Sequence, residues 1–163
     1  MKTTIICGFP GVGKSSCRYD KDGNFHSNVL DMESSEYSWI FDSFDLKEYP
    51  KRNPQFPNNY IDSLELFAEK GGYEYIFVSC HEDVREEMRN RGIKYVIVAP
   101  KNTPETKNEY CKRYLKRGSD VDFINKVYQD WDSMIESIMR DPSPTIWLDC
   151  GEYLADVISK EGE

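Results

Sequence analysis

Eight consecutive residues, Gly8, Phe9, Pro10, Gly11, Val12, Gly13, Lys14 and Ser15, have the spacing G-x-x-x-x-G-K-S. The chemistry such a run can do is anion binding. Its glycines reach backbone angles closed to other residues, so the chain can wrap closely around a phosphate. Successive N–H groups, with the start of a following helix, form a nest for the negative charge. Lys14 adds a mobile positive charge for terminal phosphates, and the Ser15 hydroxyl is the expected Mg²⁺ ligand. The expected binding segment runs on through Ser16, with ATP and Mg²⁺ as the implied ligands.

Two further groups could act beside this loop. Asp31 and Glu33 follow a short apolar run, Val29-Leu30. An Asp-x-Glu pair at the carboxyl end of a strand sits where open α/β sheets bind their ligands. Asp31 could hold Mg²⁺ through water or deprotonate an acceptor hydroxyl, and Glu33 could orient that acceptor. The same acids would also suit a helix cap and first turn. Glu109, Arg113 and Arg117 recur every four residues and so share one helical face. Two arginines one turn apart can clamp a transferring phosphoryl group. The alternative is a solvated face whose Glu–Arg pair contributes about 0.2–0.5 kcal/mol. Arg52 and His81 are secondary candidates for acceptor binding. Trp39, Phe41 and Phe44 could stack on a base or simply build core.

The elements that must position these groups alternate between two periodicities. Short apolar runs at residues 3–7, 28–31, 75–79, 95–99 and 145–149 predict five strands covered on both faces. Between them lie helical stripes. Tyr60, Leu64 and Phe67 share a face of a helix over 59–70 that Gly71-Gly72 stops. Ser79-x-x-Glu82 resembles a capping box, and Thr103-Pro104 reads as N-cap and first helical residue. Ser119 or Asp120 would cap a long amphipathic helix carrying Ile124, Val127, Trp131, Ile135 and Ile138. The fold expected is a three-layer α/β domain with a mostly parallel five-stranded sheet. Residues 39–58, broken by three prolines, read as an irregular insertion, and the helix after the loop should last about two turns.

Taken together, the glycine loop, the acidic end of the second strand and the Arg-x-x-x-Arg-Gly helix between strands four and five resemble the nucleoside monophosphate kinase group of P-loop kinases. Leu30-Asp31-Met32-Glu33-Ser34-Ser35, Asn53-Pro54-Gln55-Phe56-Pro57-Asn58-Asn59-Tyr60 and Phe77-Val78-Ser79-Cys80-His81 are similar to small kinase-like proteins of phages and bacteria. The resemblance covers nearly all of residues 1–163, read as one P-loop NTPase domain. It implies a kinase passing the ATP γ-phosphate to a small acceptor, most directly a nucleoside monophosphate. It makes Lys14, Arg113 and Arg117 phosphate contacts, and it makes residues 101–120 a helical lid closing over ATP. The loop after strand three lacks the Asp-Arg signature of many nucleotide kinases. A kinase of polynucleotide 5′ ends or of another hydroxyl acceptor, and a non-catalytic ATP-binding protein, are the alternatives.

Composition narrows the field. The chain has 163 residues, 21 basic against 29 acidic, for a net charge of −8. That balance disfavours a polynucleotide track, whose phosphates it would repel. No apolar run approaches the ~20 residues that span a bilayer. Five scattered cysteines with no C-x-x-C pair argue against a disulfide framework or structural zinc and for reduced thiols in a cytoplasm. No feature specifies an oligomer.

Overall fold

The computed structural model describes residues 2–19, 22–40 and 51–161. Phe41 and Phe44, and with them the middle of the 39–58 insertion, lie outside the described residues.

Five runs rich in β-branched and aromatic residues form the sheet: β1 (Thr4–Gly8), β2 (Val29–Asp31), β5 (Tyr75–Ser79), β6 (Val96–Pro100) and β7 (Thr145–Leu148). All are parallel, in the order β2-β5-β1-β6-β7. Parallel strands need crossovers. Helices α1 (Ser35–Ser38) and α2 (Asn58–Lys70) lie between β2 and β5, α3 (Glu82–Asn90) between β5 and β6, and α4 (Pro104–Lys116) and α5 (Val121–Arg140) between β6 and β7; α6 (Leu154–Glu161) follows β7, and a 3₁₀ turn lies between β1 and β2. A separate antiparallel pair, β3 (Trp39–Ile40) and β4 (Lys51–Arg52), brackets the insertion. Among the described residues, no helix is long and apolar enough to cross a membrane.

The central strand matters most for function. β1 is flanked by β5 and β6, with Gly8 opposite both Ser79 and Val98. Asp31 pairs with Phe77, so the ends of β1, β2 and β5 reach one carboxyl rim. Whatever follows β1 therefore emerges from the middle of the edge where α/β sheets bind ligands. Below that rim the core is continuous. Phe9 meets Trp131 edge-on at 5.3 Å, and Trp131 meets Tyr110 at 5.6 Å.

Four local expectations take a different form. The helix after the glycine loop is a single 3₁₀ turn, Ser15–Arg18. The His26 N–H donates to the Arg18 carbonyl and Tyr19 bridges Phe25, so the chain reverses before a second turn can form. The capping box at Ser79 is absent because Ser79 belongs to β5. Its hydroxyl accepts the His81 N–H at 3.4 Å, and His81 occupies the N-cap of α3. The cap and first turn considered over residues 31–35 fall at its far end: Asp31 closes β2, and Ser34 is the N-cap of the one-turn α1. Finally, the segment expected as a lid is packed into the body. Tyr110, Tyr114 and Thr106 of α4 are fully or almost fully buried, which anchors the helix along its length. Thr103 and Asp120 do cap α4 and α5, accepting from the Thr106 and Asp122 N–H groups.

Candidate functional site

The glycine loop is built by holding its carbonyls from outside. Three consecutive carbonyls are taken by donors from elsewhere in the fold. Tyr114 Oη donates to Pro10 O at 2.6 Å, Arg113 Nη1 to Gly11 O at 2.8 Å, and the Leu154 N–H to Val12 O at 2.8 Å. In a trans peptide the C=O and the following N–H point in opposite directions. Fixing the Pro10 and Val12 carbonyls outward therefore turns the Gly11 and Gly13 N–H groups toward the loop's inner side. Phe9 N continues the β-ladder to Val98 O at 3.0 Å, and Val12 N closes a turn on Phe9 O at 3.2 Å.

Glycine is required at two of these positions. Gly11 and Gly13 have φ of 93° and 96°. A Cβ on Gly11 would lie 2.9 Å from Tyr114 Cε1, and that ring is buried and tied to Pro10. Gly11→Ala is accordingly expected to cost about 1–3 kcal/mol in urea unfolding through the strained angle, with added cost from the contact. Gly118→Ala, also at positive φ but with open space around its Cβ, should cost less. Equal costs would mean that α4 does not brace the loop.

Lys14 and Ser15 present the reactive side chains. Lys14 Nζ arches back over the loop and donates to Gly8 O at 3.2 Å. Ser15 Oγ donates to Asp31 Oδ2 at 3.4 Å, so the hydroxyl and carboxylate expected at a metal come together although 16 positions apart. Burial raises the Asp31 pKa above the ordinary carboxylate value; Lys14 and the Ser15 hydrogen bond pull it back, and Glu33 adds to the rise. A partly desolvated carboxylate beside one hydroxyl is a donor set that suits a hard cation sharing phosphate oxygens. Among the described residues, no three His, Cys, Asp or Glu side chains cluster as a closed metal site. Tyr60 supports this rim from below: its hydroxyl donates to Met32 O at 2.7 Å and accepts the Ser79 N–H at 3.1 Å.

A cavity of about 660 Å³ opens over the loop and gathers Lys14, Ser15, Glu33, His81, Arg113 and Arg117. The two arginines are not equivalent. Arg113, 10% exposed, pairs with Glu109 at 3.0 Å, also donates to Glu152 O at 3.0 Å, and lies 4.4 Å from the Tyr110 ring and 3.8 Å from that of Tyr153. Its two Nη groups are taken by the Gly11 and Glu152 carbonyls and the Glu109 carboxylate, which makes it a positioning residue for the loop, while its buried Nε has no partner among the described residues. Arg117 is exposed; its Nε donates to Ser119 Oγ at 2.7 Å and its guanidinium lies over Tyr114 and Phe123. Of the two arginines lining the cavity, it is the exposed one.

Arg52 does not line this cavity, although its charge reaches His81 and helps lower that imidazole's pKa. Its guanidinium lies over Trp39 at 5.0 Å and Phe56 at 6.0 Å. His81 stands at the cavity mouth, and loss of hydration lowers its imidazole pKa, Asp83 opposing and Lys14 reinforcing the shift. The shift favours the neutral ring. Sequence reasoning missed Tyr114, Glu152, Tyr153 and Tyr60. A tyrosine repeat at Tyr110 and Tyr114 was the available signal for the first; Glu152 and Tyr60 hold backbone groups and the Tyr153 ring packs on Arg113, contacts that leave no pattern.

No protein-family model matches the chain, and a comparison with curated proteins gave no significant match.

Proposed function

We propose that the chain is an ATP-dependent phosphotransferase acting on a small acceptor, with a nucleoside monophosphate or another hydroxyl-bearing molecule receiving the γ-phosphoryl group. One observation supports this reading: the Pro10 and Val12 carbonyls are held by donors from outside the loop, which turns the Gly11 and Gly13 amides the other way, beside Lys14 at one concave site. Backbone donors fixed in advance cost no reorganisation when charge arrives, which is how phosphoryl transfer is best served. Ser15 and Asp31 would hold Mg²⁺, which when bound neutralises charge on the terminal phosphates. Arg117 would approach the same charge from the α4 side.

The test is calorimetry with ATP, with and without Mg²⁺, followed by labelled ATP against a panel of nucleosides and nucleoside monophosphates. Mg²⁺-dependent binding with transfer is the expected result. No ATP binding would remove the reading, and tight binding without transfer across the panel would make the chain an ATP-binding protein. Single-stranded DNA binding that weakens steeply with salt would instead favour a polynucleotide acceptor. Asp31→Asn should raise the Mg²⁺ concentration needed for half-maximal ATP binding about 10–100-fold, as loss of a metal-orienting group does elsewhere.

A further inference from the structure

We infer that Tyr60 is a positioning residue for the acceptor: its hydroxyl wedges β2 away from β5 at the carboxyl rim and so opens the cleft that an acceptor must enter. The acceptor half of this inference rests on the phosphotransferase reading of the loop.

The ladder itself displays the wedge. β2 and β5 pair regularly from Val29–Tyr75 to Asp31–Phe77, and the Met32 N–H still donates to Phe77 O at 2.9 Å. In a parallel ladder the next bond would run from the Ser79 N–H to Met32 O. Two bonds through one side chain replace it. The Ser79 N–H donates to Tyr60 Oη at 3.1 Å, and Tyr60 Oη donates to Met32 O at 2.7 Å. The strands therefore stand a hydroxyl apart where a single hydrogen bond would otherwise join them.

Satisfying buried polar groups does not by itself explain this arrangement. Met32 and Ser79 are 6% and 8% exposed, so their backbone groups need partners. A direct bond between them would supply those partners without desolvating a phenol. What the hydroxyl adds is separation. It is firmly held: Tyr60 has no exposed surface, and its ring packs on Tyr37 at 5.2 Å and Phe56 at 5.8 Å. Asn59 Nδ2 donates to Tyr37 O at 2.9 Å and ties α2 to α1. Burial raises the Tyr60 pKa, so the hydroxyl keeps the proton it donates.

The fork coincides with the cavity over the loop. Met32, Glu33 and Ser34, leaving β2, line that cavity together with Ser79 and His81, leaving β5. Asp31 precedes the fork, where the ladder is intact, so the carboxylate beside Ser15 does not depend on Tyr60. The loop does not depend on it either, being held by Tyr114, Arg113 and Leu154. Closing the fork would draw the Glu33 and His81 segments together beside Lys14. It would exclude an acceptor and spare ATP.

The experiment uses the full chain, labelled ATP with Mg²⁺, and the nucleoside or nucleoside monophosphate that the wild type phosphorylates best. ATP affinity is read separately by calorimetry. Tyr60→Phe lets Ser79 bond Met32 directly and should raise the acceptor KM about 10-fold or more, as misplacement by an ångström can, with ATP affinity unchanged. Ile61→Val, a buried neighbour on α2 with no polar group, should leave the acceptor KM unchanged despite a similar loss of stability. By NMR, a scalar coupling across a hydrogen bond from Ser79 N to the Met32 carbonyl carbon should be absent in the wild type and present in Tyr60→Phe. An unchanged acceptor KM in folded Tyr60→Phe overturns the inference, as does an equal rise in Ile61→Val. So does that coupling in the wild type, or its absence from Tyr60→Phe. Wild-type protein that phosphorylates no acceptor marks failure of the phosphotransferase reading and removes the acceptor half; the coupling still decides the wedge.

Discussion

Lys14→Ala is expected to lower phosphoryl transfer about 10²–10³-fold while leaving the fold intact. The rate estimate is that for removing one preorganised donor from developing oxyanion charge. The stability half follows from what Lys14 does without ligand. Among the described residues its side chain makes one hydrogen bond, to Gly8 O at 3.2 Å, at the half-exposed surface of the loop, so its loss should change unfolding free energy by no more than about 0.5 kcal/mol. The loop itself is held by Tyr114, Arg113 and Leu154, none of which depends on Lys14. Steady-state kinetics beside a thermal melt reads both. A variant that keeps wild-type turnover, with its fold unchanged, would remove Lys14 from the chemistry and the loop from its assigned role.

The second large effect is on stability. Asp141→Ala should destabilise the protein by about 3–5 kcal/mol, the cost of leaving a buried charge unpaired. Asp141 has no exposed side-chain surface. It joins Arg85 at 2.7 Å and Arg89 at 2.6 Å, and accepts from Tyr95 Oη at 2.8 Å and the Ser143 N–H at 2.9 Å. Arg85 is itself 3% exposed at the side chain, so removing its partner strands a guanidinium in the core between α3 and α5. At ~2–4 °C per kcal/mol for a chain of this size, the melting point should fall by at least about 6 °C. Arg85→Met, which removes the stranded charge too, is expected to cost less when combined with Asp141→Ala than the sum of the two singles. Strict additivity in that cycle would show that the two groups do not form one unit.

The same cluster sets an acid limit. Burial pushes the Asp141 pKa up, but the Ser143 N–H, Arg85, Tyr95 and Arg89 outweigh it and hold the group below the ordinary carboxylate value. A depressed folded-state pKa contributes stability that is present above the unfolded value near 3.9 and lost as pH falls through the folded one. Urea midpoints of the wild type should therefore drop more steeply below about pH 4 than those of Asp141→Asn.

Much of the fold was legible because its signals are local. The five strands could be placed within a residue or so, since runs such as Tyr75-Ile-Phe-Val-Ser79 are apolar on both faces. Thr103-Pro104 and Asp120 name their own helix starts. The short segment after Ser15 was less legible, because a helix of one turn or two has the same composition and the reversal is decided by the Arg18–His26 bond.

The amino-acid sequence by itself determined the loop, its glycines and lysine, and the strands that carry them, because spacing and periodicity act between near neighbours. Only the tertiary structure decided what α4 is for. Arg113 and Gly11 are 102 positions apart, and the crossover order β2-β5-β1-β6-β7 is what sets that arginine behind the loop as a brace.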